Sequence, residues 1–226
     1  MGAVQRGMRA FLNSIGITVS DESALEDRLN GVAQRMVSHP ISEGGVWTNG
    51  GLVGLDWQNV AKDQGIAYGS GFSAGYNDCI AHLSGFSANH YAEATLHVAS
   101  GYTPPDSHEI ELLVRFEITA HSARGYEINN GWNGAYSQIV RWNGPLDDFT
   151  YLPTTGPGFG ALIEGDVIRA TAVGSTITVY KNGAQVMQAT DSTWSDGNPG
   201  MAMFIRPGSG AQPKSYCFSA FSAGDL

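Results

Sequence analysis

Glu109 and Glu111 stand two apart in the run Glu109-Ile-Glu-Leu-Leu-Val-Arg115. Side chains two apart on a β-strand share one face, so this spacing brings two carboxyls together. Paired carboxyls are the equipment of glycoside hydrolysis. One attacks or activates water and the other protonates the leaving oxygen, with about 5.5 Å between them in the retaining case. The pattern then breaks off. Leu113 stands where a third acid would continue, and Arg115 and Glu117 follow. His108, Ile110, Leu112, Val114 and Phe116 form the opposite, mostly apolar face. Glu109, Glu111 and Arg115 are therefore the catalytic set if the chain is an enzyme, and the broken pattern favours a non-catalytic role.

A second constellation has the chemistry of sugar binding. Tyr126-Glu-Ile-Asn129-Asn130-Gly-Trp132-Asn133 is followed by Gln138, Arg141 and Trp142. An aromatic ring offers its apolar face to the C–H face of a pyranose, while planar amides and charged groups read the hydroxyls. The expected ligand-binding residues are Tyr126, Asn129, Asn130, Trp132, Gln138 and Arg141. Trp132 and Trp142 are equally at home in a sandwich core. Tyr126 and Ile128 alternate with Glu127 and Asn129, so one face of this segment is solvated or turned to a ligand.

Other chemistries find no support. The six histidines do not recur at metal-ligand spacing. There is no Gly-x-Ser-x-Gly elbow and no phosphate loop. No cofactor is expected. Calcium alone stays open, with Asp147, Asp148, Asp191 and Asp196 as the acids in reach, although they lack EF-hand spacing. Cys79 and Cys217 belong to no CxxC or Cys/His cluster and are expected as free, partly buried thiols. The net charge of −9 argues against nucleic acid, anionic membrane surfaces and polyanionic polysaccharides as partners. No window approaches the roughly 20 apolar residues of a membrane span, so membrane insertion is not expected.

The elements that must position these groups fall into two parts. Val4, Met8, Phe11, Leu12 and Ile15 recur on one helical face, and Leu25, Leu29, Val32 and Met36 on another. Ser38-His39-Pro40 would end the second helix. Residues 1–40 therefore read as a short helical arm. Two short amphipathic helices cannot bury their stripes alone, so residues 1–37 are expected to dock on the chain's own body, on other copies of itself or on a larger assembly. From residue 41 to 226 the chain changes to short apolar-polar alternations punctuated by Gly, Asn, Asp and Pro, the grammar of an all-β domain. Strands are expected near 51–57, 64–69, 78–84, 90–99, 108–119, 123–130, 136–142, 166–173, 175–181, 184–190, 200–205 and 215–222. All nine prolines are read as lying between strands. Residues 143–160 read as a surface loop. Asn182-Gly183 suits a type I′ turn, because both positions accept positive φ.

The phrase Glu164-Gly-Asp-Val-Ile-Arg-Ala, then Val173-Gly-Ser-Thr-Ile-Thr-Val-Tyr-Lys-Asn-Gly183, then Asp191 and a Gly197-Asn-Pro-Gly200 turn resembles the concanavalin A-like lectin/glucanase superfamily and its laminin-G-like modules. The resemblance implies an antiparallel β-sandwich of jelly-roll type, two curved sheets face to face. It also implies a concave face or loop rim that often binds carbohydrate. Glucanases of this superfamily carry alternating acids on a concave strand, which Glu109 and Glu111 match and Leu113 does not. Lyase-like members need a Gln-x-His strand, and Gln138-Ile-Val140 has Val in place of the His. Modules of this kind usually work outside cells, yet Met1 to Ala10 begins no apolar leader. Phage structural proteins satisfy both conditions. The expectation is a non-catalytic, lectin-like virion surface component, such as a head decoration or fibre protein that touches host glycans. The alternatives are a glycan-degrading enzyme and a carbohydrate-binding module of a secreted enzyme.

Overall fold

The computed structural model describes residues 37–40, 47–50, 59–70, 78–105, 108–131, 134–206 and 209–226. The expected helices of the arm, the strand near 51–57 and Trp132 lie outside the described residues. Fifteen strands are described. They are β1 (Val37–Pro40), β2 (Thr48–Asn49), β3 (Asn59–Asp63), β4 (Ile66–Ser70), β5 (Asp78–His82), β6 (His90–Val98), β7 (Glu109–Thr119) and β8 (Ser122–Gly131). Then follow β9 (Ser137–Gly144), β10 (Phe149–Tyr151), β11 (Val167–Val173), β12 (Thr176–Lys181), β13 (Ala184–Thr190), β14 (Asn198–Phe204) and β15 (Tyr216–Asp225).

They form two antiparallel sheets. The first runs β13-β12-β11-β6-β15-β4-β3, with β1 also paired to β15. The second runs β10-β9-β8-β7-β14-β5-β2. Alternate side chains of both sheets meet in one core, among them Ala92, Leu96, Ile168 and Phe218 from the first and Ile110, Leu112, Tyr126 and Ile128 from the second. The antiparallel β-sandwich expected from the alternation is thus the observed architecture.

The Asn182-Gly183 turn has φ of 50° and 81°, and Lys181 pairs with Ala184 across it. The Asn182 side chain reaches further. It accepts from the Val167 N–H at 2.8 Å and donates to Asp166 Oδ1 at 2.8 Å. Asp166 Oδ2 also takes the Ile163 N–H at 2.9 Å and lies 3.1 Å from Lys181 Nζ. The Gly-Asp phrase and the Asn-Gly hairpin are therefore one hydrogen-bonded unit.

Four sequence expectations change. Val37–Pro40 pairs with Ala223–Ala220, so the sheet begins before residue 41. The stretch 143–160 is not only a surface loop, because β10 returns along β9 with Phe149 opposite Trp142. Gly197-Asn-Pro-Gly200 is no free turn but the bulged start of β14. Pro40 and Pro199 therefore lie within strands, one in a strand paired on a single described side and the other at a bulge, the two places where a missing N–H is tolerated.

Candidate functional site in the outer face of the second sheet

The second sheet buries Ile110, Leu112 and Val114 in the core, so Glu109, Glu111 and Leu113 face outward together. Register carries this row across the sheet. Glu111 is paired with Asn129 and Leu113 with Glu127 on β8. Asn129 is then paired with Gln138 and Glu127 with Val140 on β9. The polar floor of a cleft of about 250 Å³ is made by Glu109, Glu127, Asn129 and Gln138, with Asp78 at its margin. Rings enclose it: Tyr136, Trp142, Phe149, Tyr151 and Phe204. The return of β10 builds much of this wall, with Phe149 5.5 Å from Trp142 and Tyr151 5.3 Å from Phe149. No Lys, Arg or His lines the cleft among the described residues.

The floor is a cluster of acids. Oxygens of Glu109, Glu111 and Glu127 all lie within 4.8 Å of one another. Tyr136 donates its hydroxyl hydrogen to Glu109 Oε1. Gly131, paired with Glu109, makes room for that ring, since a Cβ there would lie 2.5 Å from Tyr136 Cε1. Trp142 donates its indole N–H to Glu127 Oε2 at 2.7 Å, and Asn129 donates to Glu127 Oε1 at 3.1 Å. Glu111 is fully buried; among the described residues its carboxyl meets only the carboxyls of Glu109 and Glu127, and no N–H or hydroxyl donates to it. Burial, and then the charges of Glu127, Asp78 and Glu109, hold its carboxyl well above the usual range. Burial also raises Glu109, against the Tyr136 hydrogen bond. Burial and the neighbouring Glu109 charge raise Glu127 to about 7.

The structure divides the residues singled out by sequence. Glu109, Glu111, Asn129 and Gln138 come together in and beneath the cleft. Arg115 does not. A bulge between Val114 and Glu117 inserts an extra residue opposite β8, with Arg115 at φ 51°. The alternation shifts by one, so Phe116 and Ile118 join Leu113 on the outer face. The Arg115 side chain is turned instead to the carbonyls of Ala88 and Trp194. Tyr126 is fully buried on the core side. Its hydroxyl donates to Asp191 Oδ1 at 2.7 Å and accepts from the Trp194 N–H at 3.0 Å. Arg141 shares that face and binds Asp191 Oδ2 at 2.6 Å and Thr193 Oγ1 at 2.9 Å. Asn130 is buried against Ser137 and the Gly160 carbonyl. These three hold loops in place and do not reach the cleft.

Of the four acids considered for calcium, Asp147 is exposed and the other three have partners. Asp191 is held by Tyr126 and Arg141, Asp196 binds Arg124 at 3.1 Å, and Asp148 accepts from Asn143 at 2.9 Å. Cys79 and Cys217 are buried thiols in contact with the backbone carbonyls of Ser70 and Lys214. Sequence reasoning missed Glu127, Tyr136 and the β10 rings. The alternation of Glu127 and Asn129 against Tyr126 and Ile128 was the available signal for the first. Nothing local announces that β10 folds back.

No protein-family model matches the sequence, and no curated protein matches it either. Solved structures do. A carbohydrate-binding module, CBM66 from Bacillus subtilis, superposes with TM-score 0.53 at 15% identity, over 81% of this chain and 94% of that one. A protein of unknown function with a galectin-like fold from the same organism gives 0.55 at 8% identity, over 84% and 94%. The fold is the concanavalin A-like jelly roll. A Bacillus licheniformis β-glucanase shares it at TM-score 0.50 and 13% identity, over 85% and 99% of the two chains. At such identities the likeness carries the concanavalin A-like architecture and no activity.

Proposed function

We propose that this chain binds a neutral saccharide in the outer-face cleft of its second sheet, without cleaving it. The observation that carries this is the lining itself: planar hydrogen-bonding groups on the floor, Asn129, Gln138 and the carboxyls, between the rings of Tyr136, Phe149 and Tyr151. Such a site stacks a sugar ring and reads its hydroxyls. The lack of a lining cation disfavours an anionic sugar. The volume of about 250 Å³, below the roughly 300–1,000 Å³ of ordinary ligand pockets, suits one or two sugar units. The fold is shared with a protein named as a carbohydrate-binding module, which supports the same reading.

A second reading, glycoside hydrolysis, is favoured by one observation. The carboxyl oxygens of Glu109 and Glu127 come within 4.8 Å, close to the roughly 5–5.5 Å of retaining enzymes. We rank it second because such catalysis sets its two carboxyls apart, one protonated and one ionised. Here burial pushes all three carboxyls the same way.

One experiment tests both. A panel of neutral oligosaccharides is titrated calorimetrically and then assayed for reducing ends. We expect binding that weakens about tenfold in Gln138→Ala and in Tyr151→Ala, with no new reducing ends. Binding untouched by both substitutions removes the cleft as the site. Cleavage abolished by Glu127→Gln establishes the second reading instead.

The same proposal places the sandwich on a larger assembly, such as a virion surface, through residues 1–36, with host glycans as the ligand. Its support is the pair of apolar stripes in that segment together with the binding cleft.

A further inference from the structure

The acid cluster beneath the cleft has too many negative groups for the partners it has. We propose that Glu109, Glu111 and Glu127, with the side-chain oxygen of Asn129, bind one divalent cation of the oxygen-seeking kind, calcium in particular.

Geometry supports this first. Two ligands on one calcium ion, each at about 2.3–2.6 Å, stand at most about 4.6–5.2 Å apart. The carboxyl oxygens of the three glutamates already lie within 4.8 Å of one another. Each pair of carboxyls is thus within the span of one calcium ion. Magnesium, at about 2.0–2.1 Å, allows at most about 4.2 Å, a tighter span.

The second observation is a shortage of hydrogen-bond donors. Among the described residues the Glu111 carboxyl meets only the carboxyls of Glu109 and Glu127, and neither its buried oxygens nor buried Asn129 Oδ1 have an N–H or hydroxyl donor. Buried polar atoms nearly always have one. Glu111 and Asn129 face each other in register across β7 and β8, so the orphaned oxygens belong to neighbouring side chains beside the same cluster. What they lack is a positive partner, and every candidate ligand atom is oxygen. That is the donor set of a hard cation, not of zinc or copper.

The remaining contacts fit the role of orienting a ligand set. Tyr136 holds one Glu109 oxygen. Trp142 and the Asn129 amide nitrogen hold Glu127. Hydrogen-bond donors behind coordinating carboxylates are what fixes such ligands in direction. A cation would also allow three neighbouring buried carboxyls to be ionised together, which their mutual repulsion otherwise prevents.

This inference shares a place with the saccharide site but does not depend on it, so the test uses the metal alone. The full chain is stripped with chelator and titrated with calcium chloride at pH 7.5, without sugar, by calorimetry in two buffers of different ionisation enthalpy. We expect one calcium per chain, with proton release visible as a buffer-dependent heat, because carboxyls protonated in the metal-free chain must ionise. Glu111→Gln and Asn129→Ala should each weaken binding at least tenfold, whereas Asp148→Asn in the loop before β10 should not. Glu127→Gln serves as a second variant should either fail to fold by circular dichroism. No binding up to about 1 mM, the weak end for extracellular modules, overturns the proposal. So does binding that survives Glu111→Gln and Glu127→Gln unchanged. Loss of saccharide binding with calcium retained would sink only the saccharide reading.

Discussion

At the scale of single residues, the buried ionisable groups set opposite demands on pH. His82 and His90 are lowered, chiefly by burial, and His108 is lowered by burial to about 4. The first two have work to do as neutral rings. His90 Nε2 accepts the Arg115 N–H at 3.0 Å and His82 Nε2 accepts the Ile118 N–H at 3.2 Å, while each Nδ1 faces a backbone carbonyl. Because their folded pKa lies below the unfolded 6.5, stability falls as pH drops below 6.5. The carboxyls act the other way. Glu127, raised to about 7, holds its proton in the folded chain where the unfolded chain has lost it. Stability therefore falls as pH rises from about 4.5 through 7. Glu127→Gln should consequently raise the melting temperature in chelator at pH 8, by about 5 °C for about 2 kcal/mol. At pH 5 the gain should vanish or turn into a loss, since Gln gives up the Asn129 hydrogen bond. An equal shift at both pH values would show that this carboxyl is not raised in the folded chain.

At the scale of elements, the alternation of apolar and polar residues made most strands legible. The expected spans at 78–84, 90–99, 108–119, 123–130 and 184–190 correspond closely to β5, β6, β7, β8 and β13. Strand alternation is a local signal with a strict period. What stayed hidden was whatever breaks the period or depends on distant pairing. The bulge at Arg115 is the clearest case, because it turned an expected site residue away from the cleft. It is built by glycines far off in sequence. A Cβ at Gly125, φ 137°, would lie 2.6 Å from the Arg115 carbonyl oxygen, and one at Gly197, φ 122°, would lie 2.3 Å from the Arg115 carbonyl carbon. Gly197→Ala and Gly125→Ala should each cost about 3 kcal/mol or more through backbone clash and strain. Gly65→Ala, at φ 82° with nothing within 4 Å, should cost only the left-handed strain of about 1 kcal/mol. Denaturant midpoints for the three variants measure this. Equal losses at all three would mean that the glycines serve φ alone and do not shape the bulge.

At the scale of the whole molecule, the fold was readable because its hairpin and its Gly-Asp phrase carry local turn chemistry. The site was readable only in part. Glu109, Glu111, Asn129 and Gln138 could be named from one or two strands, but Glu127 joins them only through the β7–β8 register, and the ring wall only through β10. Attachment to an assembly belongs to this scale as well. Since Val37–Pro40 pairs with the last strand, a fair truncation removes residues 1–36 and spares Val37. Light scattering should find the full chain multimeric and the truncated chain monomeric. Monomers in both cases would remove the self-association route and leave docking on the chain's own body or on a different protein.

The two cysteines, one in each sheet, have a practical consequence. Burial, with nearby acidic charge, lifts both thiols to about 12, so neither is a useful nucleophile while the sheets stay closed. A maleimide or disulfide reagent will therefore find them only in molecules that have opened, and the pace of labelling becomes a clock for how often the sandwich comes apart.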